Sequence, residues 1–295
     1  MASLPDLQPN QLLLTRRSRM VLFICLAVLG YILTGFFTTL LIYKFGAAST
    51  RALRVAAVVQ DIFAMIAPAV ITAMMVTRLP AQLLELRGGL RLPTTLLALS
   101  VIVVSVPAMN CVIQLNESVS FTGSFAPIID ALRSMEENAS AMIERLQGNG
   151  SWADLIVNIL ILGVAAGISE ELFFRGALQR LMQLGGMKAH TAVWVSAIVF
   201  SAVHMQFFGF VPRMLLGAYF GYLLLWSRSI WMPAAAHAFN NTLYVIAQWY
   251  YVRHGEPEIN VNNVGLGSLW PMAAVSLIVT AAIIYVVYKR RLRRY

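Results

Sequence analysis

Residues 152–175 of the chain read WADLIVNILILGVAAGISEELFFR. After Asp154 no charged residue occurs until Glu170, and then Glu170, Glu171 and Arg175 follow closely. A helix needs about 20 mainly apolar residues to cross the hydrocarbon core of a bilayer. The stretch therefore predicts a membrane helix that carries a group of charges near its end.

The composition indicates that most of the chain lies in a lipid bilayer. Of its 295 residues 59% are hydrophobic and 12% charged, and the mean hydropathy is +0.73. Soluble domains are typically about 45–50% apolar and about 25% charged. The net charge is +9, but the basic residues stand at the ends of apolar runs. That pattern indicates membrane topology and anionic lipid headgroups, and it argues against nucleic acid as a partner.

Eight apolar runs predict an all-α, polytopic bundle of about eight membrane spans. The fifth run is only about 14 residues long, which fits a tilted or buried helix better than a lipid-facing one. The runs lie at residues 20–43, 55–77, 93–114, 152–174, 191–204, 207–226, 230–250 and 269–288.

The distribution of Lys and Arg predicts the orientation. With the N-terminus in the cytoplasm, 15 of the 22 basic residues fall on the cytoplasmic side, Arg175 included. The bias obeys the positive-inside rule, so both termini are expected in the cytoplasm. The seven basic residues on the outer side are Lys44, Arg51, Arg54, Arg133, Arg145, Arg213 and Arg253.

One connection, about residues 115–151, is long and has its own helical pattern. Apolar residues recur at helical spacing and acidic and basic residues occupy the positions between them, which predicts an amphipathic helix on the outer membrane surface. Such a helix is a lid over the bundle or a lateral gate, and the lid is the simpler interpretation. The apolar positions are Ile129, Leu132, Met135, Met142 and Leu146.

The paired glutamates predict a division of roles. A charge at the centre of a membrane helix costs about 2.5–3.5 kcal/mol on insertion scales, so such groups usually face a cavity. Arg175 lies four residues after Glu171, the favoured ion-pair spacing on a helix. Glu170 lies about 100° further round the helix, since a turn holds 3.6 residues. It is left desolvated and suited to general acid–base work, although a structural ion pair at the helix end is the alternative for the motif alone.

Two histidines and an asparagine complete the polar set. The fifth run carries Phe200-Ser-Ala-Val-His204, and the seventh carries His237-Ala-Phe-Asn-Asn241 with its first and last residues on one helix face. Alone, each motif fits a core histidine or an interhelical hydrogen bond. Together with Glu170 they could activate one water.

Two arrangements stay open for that water. In one, His204, His237 and Glu170 ligate a divalent metal such as zinc, which lowers the pKa of bound water. In the other, Glu170 and the histidines act without metal, and Asn241 stabilises the oxyanion. The zinc-protease signature His-Glu-x-x-His is absent from the sequence, so the sequence does not choose between them.

The ordered motifs resemble those of a known family. Glu170-Glu171-Leu-Phe-Phe-Arg175, Phe200-Ser-Ala-Val-His204 and His237-Ala-Phe-Asn-Asn241 resemble the motifs of the CAAX prenyl endopeptidases and their bacterial relatives, the CAAX-processing and bacteriocin-immunity proteins. The resemblance covers about residues 165–245.

The resemblance implies an eight-helix bundle with a conical cavity opening toward the cytoplasm. It implies that Glu170 activates water, with His204, His237 and Asn241 binding and stabilising, and that Glu171 and Arg175 belong to the same site. Eukaryotic members cleave near the C-terminus of substrates with a prenylated cysteine. Bacterial members are described as metalloproteases, a metal-free glutamate mechanism is also argued, and some act in bacteriocin self-immunity.

We therefore expect a multi-pass protease in a bacterial cell membrane that acts on a membrane-associated peptide or protein. Two alternatives remain. Asp61 with Gln60 and the glutamates could form the path of a proton- or cation-coupled transporter, although no inverted repeat is visible. A non-catalytic immunity or scaffold protein would not need the complete polar set. The expected segments are the cytoplasmic 1–19, three spans and the outer loop in 20–151, the catalytic helices in 152–250, and the last loop, final span and basic tail in 251–295.

Overall fold

Each apolar run of the sequence forms a helix or a bent pair of helices. The structure, a computed structural model, describes Leu7 and residues 11–46, 49–118, 126–255 and 264–292. Within these ranges the only extended pairing is an isolated antiparallel bridge between Leu12 and Thr77, so the predicted all-α class is confirmed. The helices are α1 (Arg16–Phe45), α2 (Thr50–Val76), α3 (Pro80–Leu83), α4 (Leu92–Val104), α5 (Val106–Glu117), α6 (Ala126–Gln147), α7 (Trp152–Leu184), α8 (Ala189–Ala202), α9 (Phe210–Ser227), α10 (Trp231–His254) and α11 (Trp270–Leu292).

The predicted third span is broken in the middle. The run 93–114 forms α4 and α5, which meet at a bend of 46°. Pro107 stands in the first turn of α5. A proline has no backbone N–H and its ring clashes with the preceding turn, so a straight helix cannot continue through it.

Helix length and composition support several membrane crossings. Among the described helices, α1, α2, α7 and α11 are long and apolar enough to span, and the bent pair α4 and α5 raises the number to five when counted as one span. The fifth run of the sequence forms α8, a short apolar helix of 14 residues. The chain is thus an integral membrane protein, while the number of eight spans and the orientation of the termini stay predictions.

Contacts between connections define two ends of the bundle. We call one the terminus end, because α1 begins and α11 ends there. At this end Arg16 donates from Nη1 to the Gly185 carbonyl oxygen at 3.5 Å, and the Ile230 N–H donates to the Glu85 oxygen at 3.0 Å. Arg290 of α11 lines a surface pocket together with Ser227.

We call the opposite end of the bundle the cavity end, and the remaining connections between helices lie there. Thr50 Oγ1 donates to the Arg145 carbonyl oxygen at 3.1 Å, which ties the start of α2 to the end of α6. Trp249 Nε1 donates to the Ser151 oxygen, also at 3.1 Å, and joins α10 to the start of α7.

The predicted amphipathic helix forms α6 and packs against α2 and α10. Leu146 is buried, whereas Met135 and Met142 remain 38% and 45% exposed. The side chain of Ile129, also assigned to the apolar face, lies outside what the structure describes. Of the four predicted segments, 1–19 is described only in part, and there Leu7 is buried in the core and the Leu13 N–H donates to the Val76 oxygen at 2.9 Å. The segment boundaries stay predictions.

Two glycines of α7 bring α10 close to the paired glutamates. A Cβ on Gly167 would lie 2.7 Å from the backbone nitrogen of Ala238, and a Cβ on Gly163 would lie 2.6 Å from Thr242 Oγ1. Since real Cβ atoms do not approach so closely, only glycine permits this helix separation. This close contact at Ala238 places His237, one residue before it, and Asn241, three residues after it, beside α7.

Candidate active site

The glutamate pair lies between two widened stretches of α7. Residues Ala166–Glu171 are α-helical, while Ile159–Ala165 and Leu172–Gln179 are wound as π-helix. Such π-helical turns are rare and are frequently found at functional sites. The second stretch carries Arg175, so the π-helical winding of α7 determines where the Arg175 side chain packs against the bundle core.

Glu171 forms a fully buried network with one arginine and one histidine. Its Oε1 accepts a hydrogen bond from Arg175 Nη1 at 2.6 Å and another from His237 Nδ1 at 2.8 Å. Both Glu171 and Arg175 have no exposed surface. Arg175 also donates from Nη2 to the Gly217 carbonyl oxygen at 2.9 Å, which ties α7 to α9. The predicted ion pair is therefore present, and it lies in the protein interior.

Glu170 faces two imidazole rings across a small gap. Its Oε2 lies 3.8 Å from His237 Nε2 and 4.0 Å from His204 Nε2. The same oxygen is buried and makes no hydrogen bond to any described residue. These separations are too long for direct hydrogen bonds, which run at about 2.7–3.2 Å. They suit three groups that share one small bridging species.

The hydrogen bonds of the rings indicate how the two histidines are protonated. His204 Nδ1 lies 2.7 Å from the Phe200 carbonyl oxygen, and His237 Nδ1 lies 2.8 Å from a Glu171 oxygen. A carbonyl and a carboxylate oxygen only accept, so both Nδ1 atoms are assigned as donors. With the Nδ1 proton in place, the neutral form of each ring presents the lone pair of Nε2 toward Glu170.

The sequence predicted that His204 lies deep inside a helix, but the structure places it elsewhere. Helix α8 ends at Ala202, and His204 occupies the turn that follows it. Met205 has a left-handed φ of 53°, which turns the chain back toward α9. This conformation is uncommon for a non-glycine residue, and strained positions of this kind cluster at functional sites. The prediction of a helical position was wrong, yet His204 still faces Glu170.

Asn241 lies on the same face of α10 as His237 and reaches the backbone of α7. Its Nδ2 donates to the Leu162 carbonyl oxygen at 3.2 Å, and its Oδ1 accepts from Asn240 Nδ2 at 3.3 Å. A side-chain amide nitrogen carries two N–H groups. One of them is therefore used to fix the side chain, and the other is available to a ligand.

A cavity of about 380 Å³ leads to this group of side chains. Glu170, His204 and Asn241 line it, while Glu171, Arg175 and His237 lie behind its polar wall. The structure thus brings together all six predicted site residues, three at the cavity surface and three as their support. The remaining wall is mainly apolar and comes from α1, α2, α6, α7 and α10.

The position of the cavity shows that two of our expectations cannot both be correct. Its lining residues belong to the parts of the helices nearest the cavity end, for example Leu53 near the start of α2 and Leu146 near the end of α6. Both the start of α1 and the end of α11 lie at the other end. Cytoplasmic termini and a cavity that opens toward the cytoplasm, as the resemblance implied, therefore exclude each other.

The predicted metal ligands do not form a metal site as they stand. Two ligands of a tetrahedral zinc ion with bonds of about 2.0–2.1 Å would lie roughly 3.3 Å apart. The Glu170 to histidine separations are 3.8 and 4.0 Å. Among the residues that the structure describes, no group of three or more His, Cys, Asp or Glu side chains is arranged to hold a metal.

Part of the site is not apparent from the sequence. From the sequence, Asp61 was expected only as part of a possible transport path. In the structure its Oδ1 accepts a hydrogen bond from Ser169 Oγ at 2.7 Å, and Asp61 lines the cavity beside Glu170. The position next to Glu170 was the only signal for Ser169. Phe220 carries no local signal in the sequence, and its ring stacks on His237 with centroids 4.8 Å apart. Phe200 entered as part of a motif, and its ring lies 4.5 Å from the Arg175 guanidinium and 5.0 Å from the His204 ring.

Comparison with known proteins bears on this segment of the chain. The family described as type II CAAX prenyl endopeptidase Rce1-like matches residues 152–243, less than half of the 295 residues. No curated protein matches the chain, and no solved structure matches it. The matched range includes all of α7, α8 and α9 and about half of α10, and with them all six predicted site residues. Over residues 152–243 the chain is therefore similar to the Rce1-like CAAX prenyl endopeptidases, and the predicted family resemblance is confirmed.

Proposed function

We propose that the protein is an intramembrane endopeptidase in which Glu170 activates water for attack on a peptide bond of a membrane-associated polypeptide. The observation that carries the proposal is the arrangement of three polar atoms at the end of one cavity. Glu170 Oε2 stands 3.8 and 4.0 Å from the Nε2 atoms of His237 and His204. Each histidine is oriented by a hydrogen bond at its other ring nitrogen.

The proposed reaction uses groups that are already in place. A water between these atoms gives one proton to the Glu170 carboxylate and directs the other toward an imidazole Nε2 as its oxygen attacks the carbonyl carbon. The carbonyl oxygen becomes an oxyanion, and the free N–H of Asn241 donates to it. Glu170 then returns the proton to the departing amine nitrogen as the C–N bond breaks. The products are a new carboxyl end and a new amine end.

Glu171 and Arg175 act through position in this proposal. Glu171 is engaged by Arg175 at 2.6 Å and by His237 at 2.8 Å, so its Oε1 is committed to two donors. It thereby holds the His237 ring in the orientation that points Nε2 at Glu170. Arg175 supplies the compensating charge, and Phe200 and Phe220 pack against its guanidinium at 4.5 and 5.6 Å.

The closed floor of the site argues against a continuous channel through the bundle. A channel would have to continue from Glu170 to the terminus end. Between them lie side chains that are at most 1% exposed: Glu171, Phe174, Arg175, Gln179, Arg180 and Phe220. Hydrolysis needs access from one side only.

The test is proteolysis with product identification. The purified protein, reconstituted in liposomes, is incubated in ¹⁸O-labelled water with a panel of single-span reporter peptides, and the products are identified by mass. Hydrolysis predicts paired fragments with one labelled oxygen in the new carboxyl end. His204→Ala should abolish the fragments, because one of the two groups that hold the water is lost.

His190→Ala is the matched control for that variant. His190 lies on the same helix α8 but at the terminus end, where its Nδ1 is 3.0 Å from the Tyr222 hydroxyl. It should leave the fragments unchanged. Fragments of equal yield from the His204→Ala protein would refute the proposed role, and no cleavage of any reporter by folded wild-type protein would count against the peptidase itself.

A further inference from the structure

The depth and direction of the cavity bear on where its substrate comes from. Its walls include Thr38 near the end of α1, Leu53 and Ala56 near the start of α2, and Tyr244 and Val245 in the second half of α10. All these positions lie toward the cavity end of their helices. The cavity is therefore entered from the cavity end, which is opposite to the end where α1 begins and α11 ends.

Below Glu170 the bundle is closed. The second half of α7, from Leu172 to Gln183, is buried almost throughout and forms the centre of the largest core cluster. Arg180 lies there at 1% exposure, with its Nη2 3.2 Å from Glu85 Oε1 in the connection between α3 and α4. A polypeptide at the terminus end would have to displace this core to reach Glu170.

The basic residues indicate which end faces the cytoplasm. Of the 20 Lys and Arg residues that the structure describes, 13 belong to the terminus end and 7 to the cavity end. Arg175 and Arg180 are buried in ion pairs and do not report on topology, which leaves 11 of the described residues at the terminus end. Positive charge in short loops and beside span ends favours the cytoplasmic side. The excess at the terminus end therefore places the cavity end outside the cytoplasm.

We propose that the cavity opens to the extracytoplasmic side and that its substrate is an exported or membrane-anchored polypeptide cleaved in the outer half of the bilayer. This inference rests on the proposed peptidase function. It differs from what the resemblance implies for eukaryotic members, which cleave near the C-terminus of substrates with a prenylated cysteine, because a cytoplasmic chain end would meet the closed end of the bundle.

The cavity also limits the form of that substrate. A volume of about 380 Å³ lies at the small end of the range of ligand sites, roughly 300–1,000 Å³. A helix with its side chains is about 10–12 Å across, so a short extended segment fits this space better. Apolar walls such as Leu53, Ile143 and Val245 favour apolar side chains beside the bond that is cut.

Thiol labelling in intact cells tests the direction of the cavity. Cys25 and Cys111, the two cysteines of the chain, are first replaced by serine and alanine. Single cysteines are then introduced at Met142, which lines the cavity on α6 and is 45% exposed, and at Gly89, exposed at the terminus end with no atom within 4 Å of an added Cβ. The probe is a membrane-impermeant charged maleimide, and lysed cells give the full extent of labelling.

The inference predicts that Met142→Cys is labelled equally in intact and lysed cells, while Gly89→Cys is labelled only after lysis. The reverse pattern, or labelling of both positions in intact cells, would overturn it. A cavity cysteine deeper in the wall, Gln60→Cys, gives a second reading should Met142→Cys resist the probe even after lysis.

A parallel activity assay keeps this inference apart from the proposed function. Reporter peptides are added to sealed vesicles of known sidedness, right-side-out or inverted. Cleavage only in right-side-out vesicles supports both proposals, and cleavage only in inverted vesicles refutes the inference while the peptidase stands. External labelling of Met142→Cys without any cleavage refutes the peptidase while the direction of the cavity stands.

Discussion

Replacement of Arg175 by alanine should destabilise the protein strongly, and it isolates the supporting part of the site. Arg175 and Glu171 are both 0% exposed and their charged atoms are 2.6 Å apart. In Arg175→Ala the carboxylate of Glu171 stays buried with a single remaining donor, His237 Nδ1 at 2.8 Å. The variant also loses the bond to the Gly217 oxygen and leaves that acceptor in the interior.

The expected loss follows from the burial of the pair. Removing one partner of a buried ion pair typically costs about 3–5 kcal/mol, because the other charge is left uncompensated. With about 2–4 °C of melting temperature per kcal/mol for a chain of this order of size, the shift is roughly 6–20 °C. Removing both charges, with Glu171→Gln and Arg175→Met together, should recover most of that loss, since no buried charge remains unpaired.

Thermal unfolding of the detergent-solubilised protein, followed by tryptophan fluorescence, measures the effect. Arg87→Ala serves as the matched control, because Arg87 is an exposed arginine in the connection between α3 and α4. It should melt with wild type. If Arg175→Ala melts within about 2 °C of wild type, a shift that corresponds to about 1 kcal/mol or less, the buried pair does not support the site as argued here.

Three further predictions address the helix contact, the oxyanion and the metal. Gly167→Ala should lower the melting temperature by the cost of overpacking, about 1–3 kcal/mol, and reduce cleavage by moving α10 away from Glu170, whereas Gly35→Ala on α1 meets no atom within 4 Å and should do neither. Asn241→Ala should lower the cleavage rate about 10²–10³-fold, as for one oxyanion donor, and an unchanged rate would remove Asn241 from the mechanism. Dialysis against a chelator should leave the cleavage rate unchanged, because Glu170, His204 and His237 do not stand at metal-ligand separations; a loss that added zinc restores would contradict this.

Much of the site could be predicted because buried polar groups in a membrane protein are costly and need each other. The spacing of Glu171 and Arg175 gave their ion pair, and the spacing of His237 and Asn241 gave their common face. The same cost made it reasonable to expect Glu170 and the histidines in one place. Helix positions followed equally well, since each apolar run has the length of one helix or one bent pair.

What the sequence could not provide depends on how helices approach one another. The closeness of α7 and α10 at Gly167 is a matter of backbone separation, although two glycines four residues apart at 163 and 167 are a recognisable signal for it. The end of α8 before His204 was missed because the apolar run continues past the last helical residue. The pairing of Asp61 with Ser169 joins residues 108 positions apart, and no local pattern indicates which residues of α2 face α7.

The central claim, that Glu170 takes the proton from the attacking water, is tested most directly by the cleavage rate of Glu170→Gln. The amide keeps the shape of the side chain but cannot accept the proton. With one reporter peptide that wild type cleaves, under single-turnover conditions and at equal folded fraction, the rate should fall about 10²–10⁴-fold. Glu137→Gln, the same change at an exposed position of α6, should leave it unaltered. A Glu170→Gln rate equal to that of wild type would contradict the account and transfer the role of base to Glu171.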